Sequence, residues 1–363
     1  MTIAQSIPHP PQGYRPKPRL GFNTRVSFNE TDGPAKGLRD GIALYQAAER
    51  LGYQSGWSYQ RHFDNYLSSP LPFFAAVGQR TDRITLGSAV LPMRYQDPIL
   101  LAEAAGTTDL LIGGRLELAI STGANAAFDA VFGAVGTDAR TEAKRRQARF
   151  LAAIRGETLH RVDGPGQGAP EGAELRVTPH SPGLAARIRQ GVSSVGSAIQ
   201  AADLGIGLIT GTVQHGQAPG ESFSDHQARI IKAYRDRWTE LYGNDAPPVA
   251  VAASILPGPS AELRDTYAAY DLERRTQGIA ASRPKGALQP TARTNAPEGS
   301  QISPVFHGTP DQVATAVLAD PGLAGADELI LFLPPGFTLE QNIRLLDDLA
   351  ATVAPALGWL PAT

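Results

Sequence analysis

Between Leu51 and Gly123 the chain reads strand, loop, helix, strand, loop, helix, strand, with a turn residue wherever the element type must change. Such alternation points to successive parallel βα units, because after each strand the chain must cross back over the sheet before the next parallel strand can pair. Arg83 to Leu91, RITLGSAVL, is an apolar β-rich run, yet Gly87 and Ser88 interrupt it. Glycine inside a buried strand marks a bulge or a close approach by a ligand or another backbone. Asp97-Pro98 then supplies an N-cap followed by proline at the first helical position, and Gly113-Gly114 closes the helix. That helix, 98–111, is apolar on most sides and is expected to pack hard against a sheet.

The same alternation extends over the whole chain. Strands are expected at 19–26, 54–59, 83–91, 116–120, 185–192, 206–210, 248–256 and 328–333. Helices are expected near 35–51, 71–80, 98–111, 137–155, 195–204 and 223–242. Thr309-Pro310-Asp311-Gln312 and Thr338-Leu339-Glu340-Gln341 are T-x-x-Q capping boxes that start two more. A faint repeat, an Ala-Ala-acidic helix end closed by Leu51-Gly52 and again by Leu204-Gly205, suits a repeated unit. The fold class is therefore α/β, and eight strands reaching to the end of the chain favour a closed (β/α)8 TIM barrel over an open doubly wound sheet. In such a barrel the active site lies at the C-terminal ends of the strands. Two Gly- and Pro-rich or poorly patterned segments, 156–183 and 258–303, are expected as irregular insertions in one domain spanning 19–363, preceded by an extended Pro-rich arm over 1–18.

Composition narrows the function. A net charge of −2 gives no basic face for a sequence-independent grip on nucleic acid, so a small-molecule partner is favoured. With no cysteine, disulfides, thiolate metal sites and cysteine nucleophiles are excluded, which is compatible with a cytoplasmic location. The proline-rich first eighteen residues form neither a signal peptide nor a membrane span, so no membrane association is expected. The seven histidines show no H-x-x-x-H spacing, no metal site is expected, and neither a dinucleotide fingerprint nor a nucleophile elbow is present.

Gln190 to Ser197, QGVSSVGS, carries a strand into a helix. Free backbone N–H groups and hydroxyls meet there, which suits either a phosphate or simple capping of the helix by Ser194. His62, after the second strand, is the best acid–base candidate by its ordinary pKa, although a lone histidine is often structural. Asn23, Tyr59, Met93, Thr210, Thr212 and His215 lie at or just past strand ends, where they line a substrate pocket or pack the barrel.

The order W-x-x-x-R-H-F, S-P-L-P, R-I-T-L-G-S-A-V and D-P-I-L-L-A-E-x-A-x-x-D-L-L-x-G-G-R-L-E-L resembles the flavin-dependent monooxygenases similar to bacterial luciferase. Two further stretches, 187–210 and 308–359, extend the resemblance over most of the chain. It independently implies a (β/α)8 barrel, and an enzyme that uses non-covalent reduced FMN, delivered by a separate flavin reductase, to oxygenate a small organic substrate with O2. The matching segment of the family receives the flavin phosphate, which places Ser194 and Ser197, with Ser193 beside them, at that group. The resemblance also implies a non-proline cis peptide at Ala89–Val90, next to Ser88, against the flavin ring. Two departures stand out. The first of two consecutive histidines common in the family is Arg61 here, which leaves catalysis to His62 or Arg61. A basic residue that follows strand four in many relatives is absent, and Ser121-Thr122-Gly123 stands there, so Thr122 and backbone amides are expected to bind phosphate with modest affinity. Alternatives are hydride transfer with a deazaflavin coenzyme on the same barrel, or flavin binding without turnover. A homodimer follows from analogy alone.

Overall fold

The computed structural model describes residues 19–29, 31–123, 128–132, 138–164, 168–277 and 299–362. Eight parallel strands close on themselves: β1 (Arg19–Thr24), β2 (Ser55–Ser58), β3 (Thr85–Pro92), β4 (Leu116–Ser121), β5 (Ile188–Val192), β6 (Gly207–Thr210), β7 (Val249–Pro257) and β8 (Glu328–Phe332). Each pairs with its neighbours in sequence order, and β8 returns to β1 through the register Arg19↔Glu328 to Asn23↔Phe332. The helices α1 (Gly33–Arg50), α2 (Pro70–Gly78), α3 (Pro98–Leu111), α4 (Ala139–Ile154), α5 (Val195–Asp203), α6 (Phe223–Tyr242), α7 (Ala261–Gln277), α8 (Pro310–Ala319) and α9 (Leu339–Thr352) follow between and after the strands. This is the expected (β/α)8 barrel.

Local chemistry fixes the boundaries. Asp97 accepts hydrogen bonds from Ile99 N and Leu100 N at the start of α3, and Thr309 and Thr338 form complete capping boxes with Gln312 and Gln341. One face of α3 buries Leu101, Ala102 and Ala105, but Leu100, Leu110 and Leu111 on the other face are exposed. The apolar character of this helix therefore exceeds what its sheet can cover.

The interior of the barrel is filled from two ends. At the N-terminal end, Arg19, Glu117, Arg189 and Glu328 form a buried charge lattice. Glu117 accepts from Arg19 at 2.7 Å and from Arg189 at 2.8 Å, while Glu328 accepts from Arg189 at 3.0 Å and from Ser55 at 2.5 Å. Burial pushes the Glu117 carboxyl up, but Arg189 and Arg19 outweigh it and hold the group below its usual range. Above that lattice lies an apolar layer of Trp57, Ala119, Ile209, Ala250, Ala252 and Ile330, with Ala89 and Val90 packed against it. Gly87 is the interruption that this layer requires. A Cβ on it would stand 2.3 Å from Cε3 of Trp57, so the close approach is by an indole ring.

The two irregular segments differ from expectation. Within 156–183 a short antiparallel pair, His160–Arg161 with Glu174–Leu175, gives partial order. Within 258–303 the helix α7 is regular, because Leu263, Tyr267, Tyr270 and Arg274 repeat at helical spacing and turn inward, with Tyr267, Tyr270 and Arg274 buried. The expected Pro-rich arm lies outside the described residues.

Candidate active site

The C-terminal mouth of the barrel carries nearly every candidate. On one side, β5 ends at Val192 and α5 begins with Ser194 as its cap. The Ser194 hydroxyl accepts from Ser197 N, and the Ser197 hydroxyl accepts from Ser194 N at 3.1 Å and donates to Ser194 O at 2.8 Å. Ser193 Oγ lies 3.1 Å from Nε2 of His215, whose backbone N–H donates to Ser193 O at 2.9 Å. These bonds stitch the loop after β6 to the start of α5. Burial, and then the charge of Arg140, hold His215 below its ordinary pKa. Arg140, exposed at the start of α4, thereby brings positive charge to this side of the mouth, a contribution that sequence reading missed.

The β3 arm of the mouth carries the Ala89–Val90 peptide, which is cis. Ser88 is buried and donates to Ala119 O at 3.3 Å. Gly191 on β5 lets Val90 approach, since a Cβ there would meet Val90 Cγ1 at 2.5 Å. The result is a floor of small apolar side chains beneath the opening. Thr122 is half-buried beyond β4.

His62 sits in an aromatic cluster, with ring centroids 4.8 Å from Phe132 and 5.8 Å from Tyr95, and Phe63 adjoining. Burial lowers its pKa, and its Nε2 is buried with no hydrogen-bond partner. Phe63 holds a left-handed backbone at φ 54°, so the loop presents His62 through a conformation that non-glycine residues rarely adopt. Arg61 does not share this environment. Its Nε lies 2.8 Å from Oδ2 of Asp64, an ion pair without directed hydrogen-bond geometry, so its charge is already matched.

The pocket candidates separate. Asn23 is buried in register with Trp57 and Phe332, and its Oδ1 has no partner. Tyr59 lies under the guanidinium of Arg25, 5.1 Å from its ring centre. Met93 is fully buried. Thr210 is not brought to the opening, because its hydroxyl accepts from Gln227 of α6 at 2.7 Å and so faces the helix layer. Thr212 contributes its carbonyl to Ser303 N at 2.9 Å.

A family profile described as luciferase-like monooxygenase matches residues 19–327. The chain belongs to the luciferase-like monooxygenase family. Among curated relatives, it is 35% identical over 103 residues to the oxygenase component of the flavin-dependent trigonelline monooxygenase of Acinetobacter baylyi, covering 28% of each chain. It is also 35% identical over 113 residues to an F420-dependent glucose-6-phosphate dehydrogenase of Intrasporangium calvum, covering 30% of this chain and 33% of that one. The aligned stretches thus span about a third or less of these relatives. Among solved structures, the oxygenating constituent of 3,6-diketocamphane monooxygenase from Pseudomonas putida, in complex with FMN, shares the fold with a TM-score of 0.66 at 16% identity, covering 93% of this chain and 98% of that one. Relatives thus include both flavin and F420 enzymes.

Proposed function

We propose that this luciferase-like protein is the oxygenase half of a two-component FMN-dependent monooxygenase acting on a small organic substrate. The observation that carries the reading is the α5 N-terminus, where Ser193, Ser194 and Ser197 gather hydroxyls and N–H groups at the mouth of the barrel. A helix N-terminus favours a dianion, and Arg140 nearby adds charge that Thr122 cannot. The half-buried Ala89 and Val90, packed on the apolar layer that includes Ala119 and Ala252, offer a planar ring system an apolar surface. These residues fit FMN, with the phosphate at Ser193–Ser197 and the ring toward Ala89–Val90.

When bound, reduced FMN supplies two electrons to dioxygen, so that one oxygen atom enters the substrate and the other leaves as water. The chain's own part is to bind, orient and keep water out. The apolar layer under Ala89–Val90 and the ring cluster of Phe63, Tyr95, Phe128 and Phe132 supply the apolar surroundings such a reaction needs. We assign proton transfer to His62, whose Nε2 has no hydrogen-bond partner and whose pKa burial lowers. A separate reductase is proposed because the matched trigonelline relative is named as an oxygenase component. A homodimer through the exposed leucines of α3 is part of the same proposal.

The test is anaerobic mixing of the protein with reduced FMN followed by oxygenated buffer, monitoring flavin absorbance. Reoxidation altered in rate from that of free reduced FMN is the expected result. Reoxidation indistinguishable from free flavin, with turnover of reduced F420 instead, recasts the reaction as hydride transfer.

A further inference from the structure

Across the mouth from the Ser193–Ser197 side, where β1, β7 and β8 meet, lie two arginines that pair with no carboxylate among the described residues. Arg25 follows the end of β1, and its Cζ stands 5.1 Å from the ring centres of both Tyr59 and Tyr66 and 5.4 Å from that of Phe332. Its Nε is buried without a hydrogen-bond partner. Arg274 reaches inward from α7 with only 4% of its surface exposed. It donates to Ser254 Oγ at 2.6 Å and to Ser303 Oγ at 3.0 Å, and its Cζ lies 5.7 Å from the same Phe332 ring. Asp271, three residues before Arg274, pairs instead with Arg275 and His307.

Two guanidinium groups against one aromatic ring repel each other, and hydroxyls and ring faces offset only part of the cost of taking them out of water. The pair therefore favours an anionic group. On β1, two residues before Arg25 and in register with Phe332, Asn23 has a buried Oδ1 without a partner. An acceptor in that position calls for an O–H or N–H donor, or after an amide flip for an acceptor, on whatever fills the space. Val26, next to Arg25, holds φ 49°, a left-handed backbone that a β-branched residue rarely adopts, so the turn placing Arg25 is itself strained.

We infer that Arg25 and Arg274 form an oxyanion subsite for the substrate, which is a small organic carboxylate carrying a further polar group for Asn23. The inference rests on the oxygenase reading for the word substrate, but its geometry does not depend on FMN. The coenzyme phosphate is assigned to β5 and α5, and β1 lies opposite β5 in the ring of eight strands. A carboxylate held between β1 and β8 directs the rest of the molecule over the apolar floor toward Ala89–Val90. Forked guanidinium donors suit a planar carboxylate better than a neutral group of the same shape.

The test uses calorimetric titration of the full-length protein, with and without saturating FMN. The probes are benzoate, 4-hydroxybenzoate and cyclohexanecarboxylate, each against its amide. At least one carboxylate is expected to bind tenfold or more tighter than its amide. Arg274→Gln and Arg25→Met are each expected to abolish that preference, with FMN affinity unchanged and exposed Arg39→Gln behaving as wild type. Equal affinity for acid and amide in all three pairs overturns the inference, and this comparison needs no variant to fold. Mutual exclusion of FMN and carboxylate, with Arg274→Gln weakening both, also overturns it by assigning the arginines to the coenzyme phosphate. Carboxylate preference without any FMN binding leaves the subsite standing and removes the oxygenase reading.

Discussion

Trp57 and Gly87 face each other across the β2–β3 pair, and the indole occupies the space that a side chain at Gly87 would need. The glycine that interrupts an apolar strand thus serves the packing of the barrel. Since a Cβ would fall within 2.6 Å of three ring carbons, Gly87→Ala must displace the indole or the strand. The expected loss is about 1–3 kcal/mol, the usual cost of overpacking a core. Urea unfolding followed by tryptophan emission measures it.

Glu328 holds Ser55, Arg189 and, more loosely, Arg19 at the base of the barrel. Removing one partner of a buried charge set leaves the others uncompensated, so Glu328→Gln is expected to cost about 3–5 kcal/mol. The double variant Glu328→Gln with Arg189→Met is expected to recover part of that loss in the same urea assay.

The neutral state of His62 makes stability depend on pH. Burial places its folded-state pKa below the ordinary 6.5, so below that value the unfolded chain binds more protons than the folded one. Its contribution is therefore fully present above pH 6.5 and is lost as the pH falls below it. His215 acts in the same direction. Urea midpoints are expected to fall between pH 7.5 and 5.5, and His62→Gln to flatten that fall.

Ser194→Ala removes the cap of α5. It is expected to cost about 1 kcal/mol of stability, as loss of a helix N-cap does. FMN affinity is expected to fall as well, because the same hydroxyl faces the proposed phosphate site. Ser222→Ala, which removes the corresponding cap of α6, is expected to cost similar stability with no change in FMN binding.

The strands and most helices were legible because each apolar run is bounded by a local signal, such as Asp97, Ser194, Thr309 or Thr338 at a helix start and Gly52, Gly113 or Gly205 at an end. The charge lattice was not legible. Arg19, Glu117, Arg189 and Glu328 are far apart in sequence, and only closure of the barrel brings β1, β4, β5 and β8 around one point. Arg274 was missed because α7 is rich in charged residues, although the stripe Leu263, Tyr267, Tyr270, Arg274 was there to be read. Arg25 carried no signal, since only the tertiary approach of Tyr59, Tyr66 and Phe332 distinguishes it from other arginines past a strand end. The loop after β2 was legible as a place for Arg61 and His62, but the pairing of Arg61 with Asp64, three residues away, shows only in the folded loop.

The most direct measurement is a fluorescence titration of the purified protein with FMN and with F420, oxidised and reduced, on wild type and on Ser194→Ala and Ser197→Ala. The expected result is selective binding of FMN of modest affinity, weakened by both serine variants. Binding of F420 alone, or FMN affinity indifferent to both serines, would contradict the assignment of the α5 N-terminus as the FMN phosphate site.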